Sequence, residues 1–167
     1  MSSPSSPPSA PQALPAVADY LSFTVGEEVY AIDILAVREI RAFDSATRIA
    51  GAPAFIRGVI NLRGVIVPVV DLRLRFGLAA AECTAFTVLI VVESGRRLAA
   101  VVVDAVNDVL ALGEDDIRPA PDFPSTIGAR FIRGLATVDE RMLVVLDIVG
   151  LMGAPETGLG EQTEEQP

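Results

Sequence analysis

The chain carries the same run of residues twice. Phe131-Ile132-Arg133-Gly134-Leu135 echoes Phe55-Ile56-Arg57-Gly58-Val59, a shift of 76 residues from 55 to 131. Without a gap the match runs on to Val145 and Asp147 against Val69 and Asp71, and ends on Gly153 against Gly77. Upstream the shift is 69: Leu21, Phe23 and Val25 match Ile90, Val92 and Ser94, Gly26 matches Gly95, and Val37-Arg38-Glu39-Ile40 matches Val106-Asn107-Asp108-Val109. The change of shift falls in one loop, about seven residues longer in the second copy, where Leu112 to Thr126 lies. Any two valine-rich strand pairs share some likeness. Four successive blocks in one order, with a single length change in a loop, point to duplication.

Each copy reads as short strands. Leu21, Phe23 and Val25 alternate with Ser22 and Thr24, Gly26-Glu27-Glu28 marks a turn, and Val29 to Ile34 resumes extended, which is the pattern of a hairpin. Val37 to Ile40 continues as an extended segment or short turn. Val59 to Leu62 and Val65 to Leu72 flank a tight turn at Arg63-Gly64. Pro68 inside the second strand predicts an edge position or a bulge, because proline has no N–H for a ladder. About five strands per copy predict an all-β fold of two small five-stranded β-barrels. Each half is near 65 residues, a marginal size for independent stability, so the two should share an apolar seam.

The ends differ from this body. Residues 1–17 are dense in Ser and Pro and carry no charged side chain, and residues 154–167 hold Glu156, Glu161, Glu164 and Glu165 with no Lys or Arg. Both are expected to be disordered tails. The body, 18–153, is expected to divide into sub-barrels at about 18–82 and 83–153, with exchange of terminal strands between them allowed.

Composition removes several classes of function. With 22 acidic and 13 basic residues the formal charge is -9, so a nucleic-acid partner is not expected and an anionic membrane surface would repel the chain. There is no histidine and one cysteine, Cys83. That excludes an internal disulfide, the usual Cys/His zinc sites and Ser-His or Cys-His catalysis. No phosphate-binding glycine loop occurs, and no cofactor or metal is expected. The longest apolar run, Phe86 to Val92, is too short to span a bilayer. The first residues lack the Lys or Arg of a secretory signal, which leaves a cytoplasmic location as the expectation.

Acid–base chemistry would have to rest on the carboxylates. Asp71 and Asp147 end equivalent strands; a catalytic pair would need one raised pKa, whereas a capping role needs only nearby backbone N–H groups. Glu114-Asp115-Asp116 lacks the ligand spacing of a calcium loop and reads as a solvated turn. Arg63 is the most informative residue. It sits at a turn beside Gly64, which can take the left-handed backbone angle and so leave the arginine free to project. The second copy keeps the turn at Asp139-Glu140 but has its arginine one place later, at Arg141. That asymmetry favours a binding role for Arg63 over a surface turn filler.

Three stretches make a family resemblance specific: FTVGEEVYAIDILAVREIR, TRIAGAPAFIRGVINLRGVIVPVVDLRLRFG and VVVDAVNDVLALGEDDIRPAP. Together they resemble the CheW family of bacterial chemotaxis coupling proteins over about Tyr20 to Gly153. The resemblance implies two SH3-like five-stranded barrels. It also implies a non-enzymatic adaptor that couples the cytoplasmic tips of methyl-accepting chemoreceptors to the regulatory domain of the histidine kinase CheA, recruited to membrane-associated arrays. Its partner-binding positions fall on Val37, Glu39, Ile40, Gly58, Arg63 and Gly64, with Val88, Val102 and Val106 as walls of a groove between the barrels. The other readings are a similar adaptor of a non-flagellar array, for pilus motility or biofilm, and a β-barrel that binds a small ligand.

Overall fold

The computed structural model describes residues 17–79, 83–121 and 131–153. The tails expected at 1–17 and 154–167 lie outside these residues, apart from Val17, which opens the first strand and pairs with Gly113. The strands are β1 (Val17–Val25), β2 (Glu28–Asp33), β3 (Val37–Ala42), β4 (Ile56–Leu62), β5 (Val65–Asp71), β6 (Val88–Ser94), β7 (Arg97–Val103), β8 (Ala105–Gly113), β9 (Ile117–Arg118), β10 (Ile132–Val138) and β11 (Arg141–Leu146). Two short helices, α1 (Leu72–Arg75) and α2 (Ile148–Gly153), follow β5 and β11. Single 3-10 turns at Ile34–Ala36 and Glu114–Asp116 complete the described elements.

The fold is all-β, built on two sheets. One runs β3-β6-β7-β5-β4 and the other β8-β1-β2-β11-β10-β9. Beyond β3, Thr47 pairs with Val59 of β4 through two backbone hydrogen bonds of 2.8 and 2.9 Å, joining the two edges of the first sheet. In the second sheet β9, the continuation of β8, does the same by pairing with β10. Each sheet thus closes on itself as a five-stranded barrel, with β8 and β9 acting as one interrupted strand.

The duplication is visible in the registers. Tyr20 faces Asp33 as Leu89 faces Val102, Phe23 faces Val106 as Val92 faces Val37, and Ala31 faces Val145 as Ala100 faces Val69. Cut at residues 82 and 83, however, the chain does not fall into its two sheets. The β1–β2 hairpin of the first copy joins β8 to β11, and the β6–β7 hairpin of the second copy completes the sheet of β3 to β5. Strand alternation explains why these hairpins tie the molecule together. On β6, Leu89 and Val91 fill one barrel with Leu62, Val67, Val69, Ala100 and Val102. Ile90 and Val92 point the other way, to a seam shared with Leu21, Phe23, Tyr30, Ile32 and Leu146. Tyr20, Ala31, Leu112, Ala136, Leu143 and Val145 fill the second barrel. Strands buried on both faces are apolar throughout, which is the reason for the runs around Val91 and Val101. Among the described residues, apolar side chains occupy both barrel interiors.

Pro68 sits where the ladder allows it. β5 pairs with β4 along its length but with β7 only from Val69 to Asp71, so at Pro68 one side of the strand is an edge.

Candidate functional site

The sequence-derived positions divide over the strand β3 and what lies on either side of it. Glu39, on β3, accepts a 2.8 Å hydrogen bond from the Arg63 guanidinium at the β4–β5 turn. Arg41 approaches the other carboxylate oxygen at 3.4 Å. The bond from Arg63 and the nearby cations hold the Glu39 carboxyl below its ordinary range. Arg63 keeps 72% of its side chain exposed, so the pair is presented to solvent. Ile40, next to Glu39 on β3, is exposed on the opposite, seam-side face of the strand, and Val65 and Ile66 are exposed on the same hairpin as Arg63. The edge of the first barrel thus presents an ion pair and, on the same elements, exposed apolar side chains, a composition suited to a protein partner.

The turn itself differs from expectation. Gly64 does take a positive φ, 90°, but Arg63 is also left-handed at φ 52°. A two-residue hairpin of the type that matches strand twist needs both angles positive. Asp139 and Glu140, at φ 53° and 68°, build the same turn in the second copy. Arg63 therefore shapes the turn as well as projecting from it, and Asn61 Oδ1 steadies it by accepting the Gly64 N–H at 2.7 Å.

Val37, Val88 and Val106 are half-buried and pack against the seam cluster, so they form part of its rim. Val102 is not a groove wall. It has no exposed surface and lies inside the first barrel, because the outward-facing positions of β7 are Ala99, Val101 and Val103, which face the seam. Gly58 is also buried, at φ 137°, and a Cβ there would strike the Thr47 carbonyl. Its lack of a side chain lets the closing segment cross β4. Gly134 repeats the arrangement, with the Arg118 carbonyl 2.5 Å from the position of its missing Cβ. Gly58 thus shapes the barrel and offers no surface to a partner.

A buried ion cluster escaped the sequence reading. Asp71 accepts from the Arg73 guanidinium on both oxygens at 3.0 Å and from Arg57 at 2.9 Å. Arg73 reaches on to Asp104 at 3.1 Å, and Asp104 accepts the Gly26 N–H at 2.7 Å. The cluster ties the barrel of β5 to the β1–β2 turn of the other. Burial alone would push the Asp71 carboxyl up, but the bonds from Arg73 and Arg57 outweigh it and hold the group below its ordinary range. Asp71 also caps α1 by accepting the Arg73 N–H at 3.0 Å. Charged residues set in the apolar runs VVDLRLRF and AVVVDAV were the available signal. Among the described residues, no group of His, Cys, Asp and Glu is placed to hold a metal, and no helix is long and apolar enough to cross a membrane.

Two closed sheets with apolar interiors, an ion pair at the barrel edge and exposed apolar residues are the features of a binding scaffold. The family model for the CheW-like domain matches residues 19–156. The chain is 48% identical over 141 residues to the chemotaxis protein CheW of Klebsiella aerogenes, covering 84% of this chain and 85% of that protein. It is 38% identical over 138 residues to the chemotaxis protein CheW of Rhizobium meliloti, covering 83% and 89%. The crystal structure of the scaffolding protein TtCheW from Thermoanaerobacter tengcongensis superposes with a TM-score of 0.74 at 36% identity, covering 83% of this chain and 90% of that one. The chain belongs to the CheW-like family, and with it to the non-enzymatic adaptors of chemotaxis.

Proposed function

We propose that the chain couples the cytoplasmic tips of methyl-accepting chemoreceptors to the regulatory domain of the histidine kinase CheA, in the cytoplasm at membrane-associated receptor arrays. The observation that carries the reading is the Glu39–Arg63 pair at the edge of the first barrel, with the arginine exposed and with exposed Ile40, Val65 and Ile66 on the same strand and hairpin. We assign that corner, with Glu39, Ile40, Arg63 and Gly64, to the kinase, and the seam rim at Val37, Val88 and Val106 to a helical receptor tip, which needs apolar anchors. β3 carries both Val37 and Glu39, so one short strand would link the two partners mechanically.

The test is a reconstituted assay with receptor, kinase and this protein. Truncating an arginine that becomes desolvated at an interface costs roughly 2–5 kcal/mol, about thirty-fold or more in affinity. Arg63→Ala should therefore abolish receptor control of the kinase, and Arg63→Lys should restore only part of it because lysine lacks the planar fork. Wild-type control by a folded Arg63→Ala protein would refute the assignment.

A further inference from the structure

At one internal place the difference between the two copies leaves a cavity. A shift of 76 carries Arg57, Asp71 and Arg73 onto Arg133, Asp147 and Val149. A shift of 69 carries Leu35 onto Asp104 and Thr24 onto Glu93. In the first copy the Arg73 guanidinium fills the space between Asp71 and Asp104, with its side chain 2% exposed. In the second copy Val149 is too short to do so, and Leu35 stands in place of Asp104. A pocket of about 280 Å³ opens there, lined by Asp33, Leu35, Glu93, Arg133, Asp147 and Val149 among others.

We propose that this pocket receives an arginine side chain from a partner protein. The first copy supplies the template. Asp147 Oδ1 accepts the Gly150 N–H at 2.9 Å, much as Asp71 Oδ1 accepts the Arg73 N–H at 3.0 Å, so both carboxylates are fixed by the first turn of the following helix. Asp147 has no ion pair among the described residues, whereas Asp71 has two. Two other acidic residues, Asp33 and Glu93, line the pocket where the counterpart of Asp104 is Leu35. Asp33 is held by capping the Ile34–Ala36 turn, and Glu93 is held by Arg38 at 2.7 Å. The pocket is thus lined by three carboxylates and Arg133, with Arg38 already bound to Glu93, and Asp147 is left as a carboxylate without an ion pair among the described residues. In the template Arg57 lies on Asp71 beside Arg73, so a second guanidinium next to Arg133 has a precedent in the same fold. Leu35, 87% exposed at the pocket's lip, offers apolar surface for the stem of an arginine while the planar head takes the carboxylates in a forked arrangement. A lysine would bring a point charge without that fork.

The pocket would recognise the guanidinium group itself, so a small guanidinium compound tests it without receptor or kinase. Ethylguanidinium chloride is titrated into the isotope-labelled full chain at constant ionic strength, with ethylammonium chloride as the comparison, and backbone amide shifts are followed. Saturable shifts should be confined to Asp33–Ala36, Glu93, Arg133 and Asp147–Val149, and ethylammonium should bind at least several-fold more weakly. Asp147→Asn should weaken the guanidinium response several-fold, because the amide offers no charge to the forked contact. Val149→Arg should fill the pocket from within as Arg73 does, removing the response and raising the melting temperature. Unsaturable shifts, equal binding of the two cations, or an unchanged response in Asp147→Asn would overturn the proposal, and so would a folded Val149→Arg protein that still binds. If Val149→Arg does not fold, Asp147→Asn and the cation comparison decide.

Discussion

Arg63 is bonded to Glu39 across the place where the first barrel closes, so a partner that takes the guanidinium must compete with Glu39 or accept the two together. The pair has a pH signature. The Glu39 carboxyl lies below its ordinary value in the folded chain, so its contribution to stability is present above that ordinary value and is lost as pH falls through the lowered one. Arg63→Ala should raise the Glu39 pKa toward that of a free glutamate, read from a carboxyl-carbon NMR titration. It should leave the melting temperature within a few degrees, since alanine and arginine face similar strain at a left-handed position. An unmoved Glu39 titration would show that the bond is not kept in solution. Asp71 behaves differently because it is buried. Asp71→Asn strands Arg73 without its main counter-charge and should cost about 3–5 kcal/mol, measured by denaturant unfolding. The wild type should lose this stability as pH falls below the ordinary aspartate value and through the lowered folded pKa, while the variant should show a weaker acid dependence. The sequence made Arg63 legible because the second copy lacks its counterpart. Asp71 was legible as a cap at a strand end, but its ion cluster was not, since the contacts that extend it to Asp104 and Gly26 join residues far apart in the chain.

At the scale of elements, barrel closure depends on two glycines. β4 and β10 each shift register just before Gly58 and Gly134, and the segment that closes each barrel crosses at these residues. The identical FIRG motif in both copies was legible, but its reason was not, because the clash is with a carbonyl of the barrel-closing segment, distant in sequence, at Thr47 or Arg118. Gly58→Ala should cost at least about 2 kcal/mol, combining backbone strain with displacement of Thr47. Gly64→Ala is the control: it is also at positive φ but nothing lies within 4 Å of its missing Cβ, so only the strain, about 1–2 kcal/mol, remains. Calorimetry of the two variants separates the effects, and equal losses would mean that the closing segment yields. β7 shows the limit of reading strands as alternating. Val102 and Val101 face different cores, so neither periodicity nor hydropathy tells which of them a partner could touch. Val102→Asp places a charge inside a filled barrel and should unfold the protein in a thermal melt, in place of the selective loss of receptor binding that a groove position would give.

At the scale of the molecule, stability follows from the exchange of hairpins. The duplication was readable as two copies, and the apolar seam followed from their small size. Which hairpin belongs to which sheet was not readable, because the equivalent hairpins share register and pattern and either copy's could pair with either set of remaining strands. The structure makes the choice with different seats for the two hairpins. Asp104 accepts the Gly26 N–H at the tip of β1–β2 and is bonded to Arg73, while Gly95, at the tip of β6–β7, meets no atom near its missing Cβ. Because each barrel borrows two strands from the other half of the chain, neither half can close a barrel in the observed arrangement alone. Residues 18–82 and 83–153, produced separately, should each lack a cooperative unfolding transition and the amide protection of a closed sheet. Mixed in equal amounts they should complement each other, regaining β-sheet circular dichroism and one cooperative melt, because the seam and both barrel interiors form together. The complex should also depend on concentration, since the covalent link no longer supplies the second half. Asp104→Ala in the 83–153 piece should weaken complementation more than it destabilises the intact chain, where the link holds the tip of β1–β2 near its seat. Cooperative folding of either half by itself, with protection spread over a complete sheet, would mean that the copies can close without exchange.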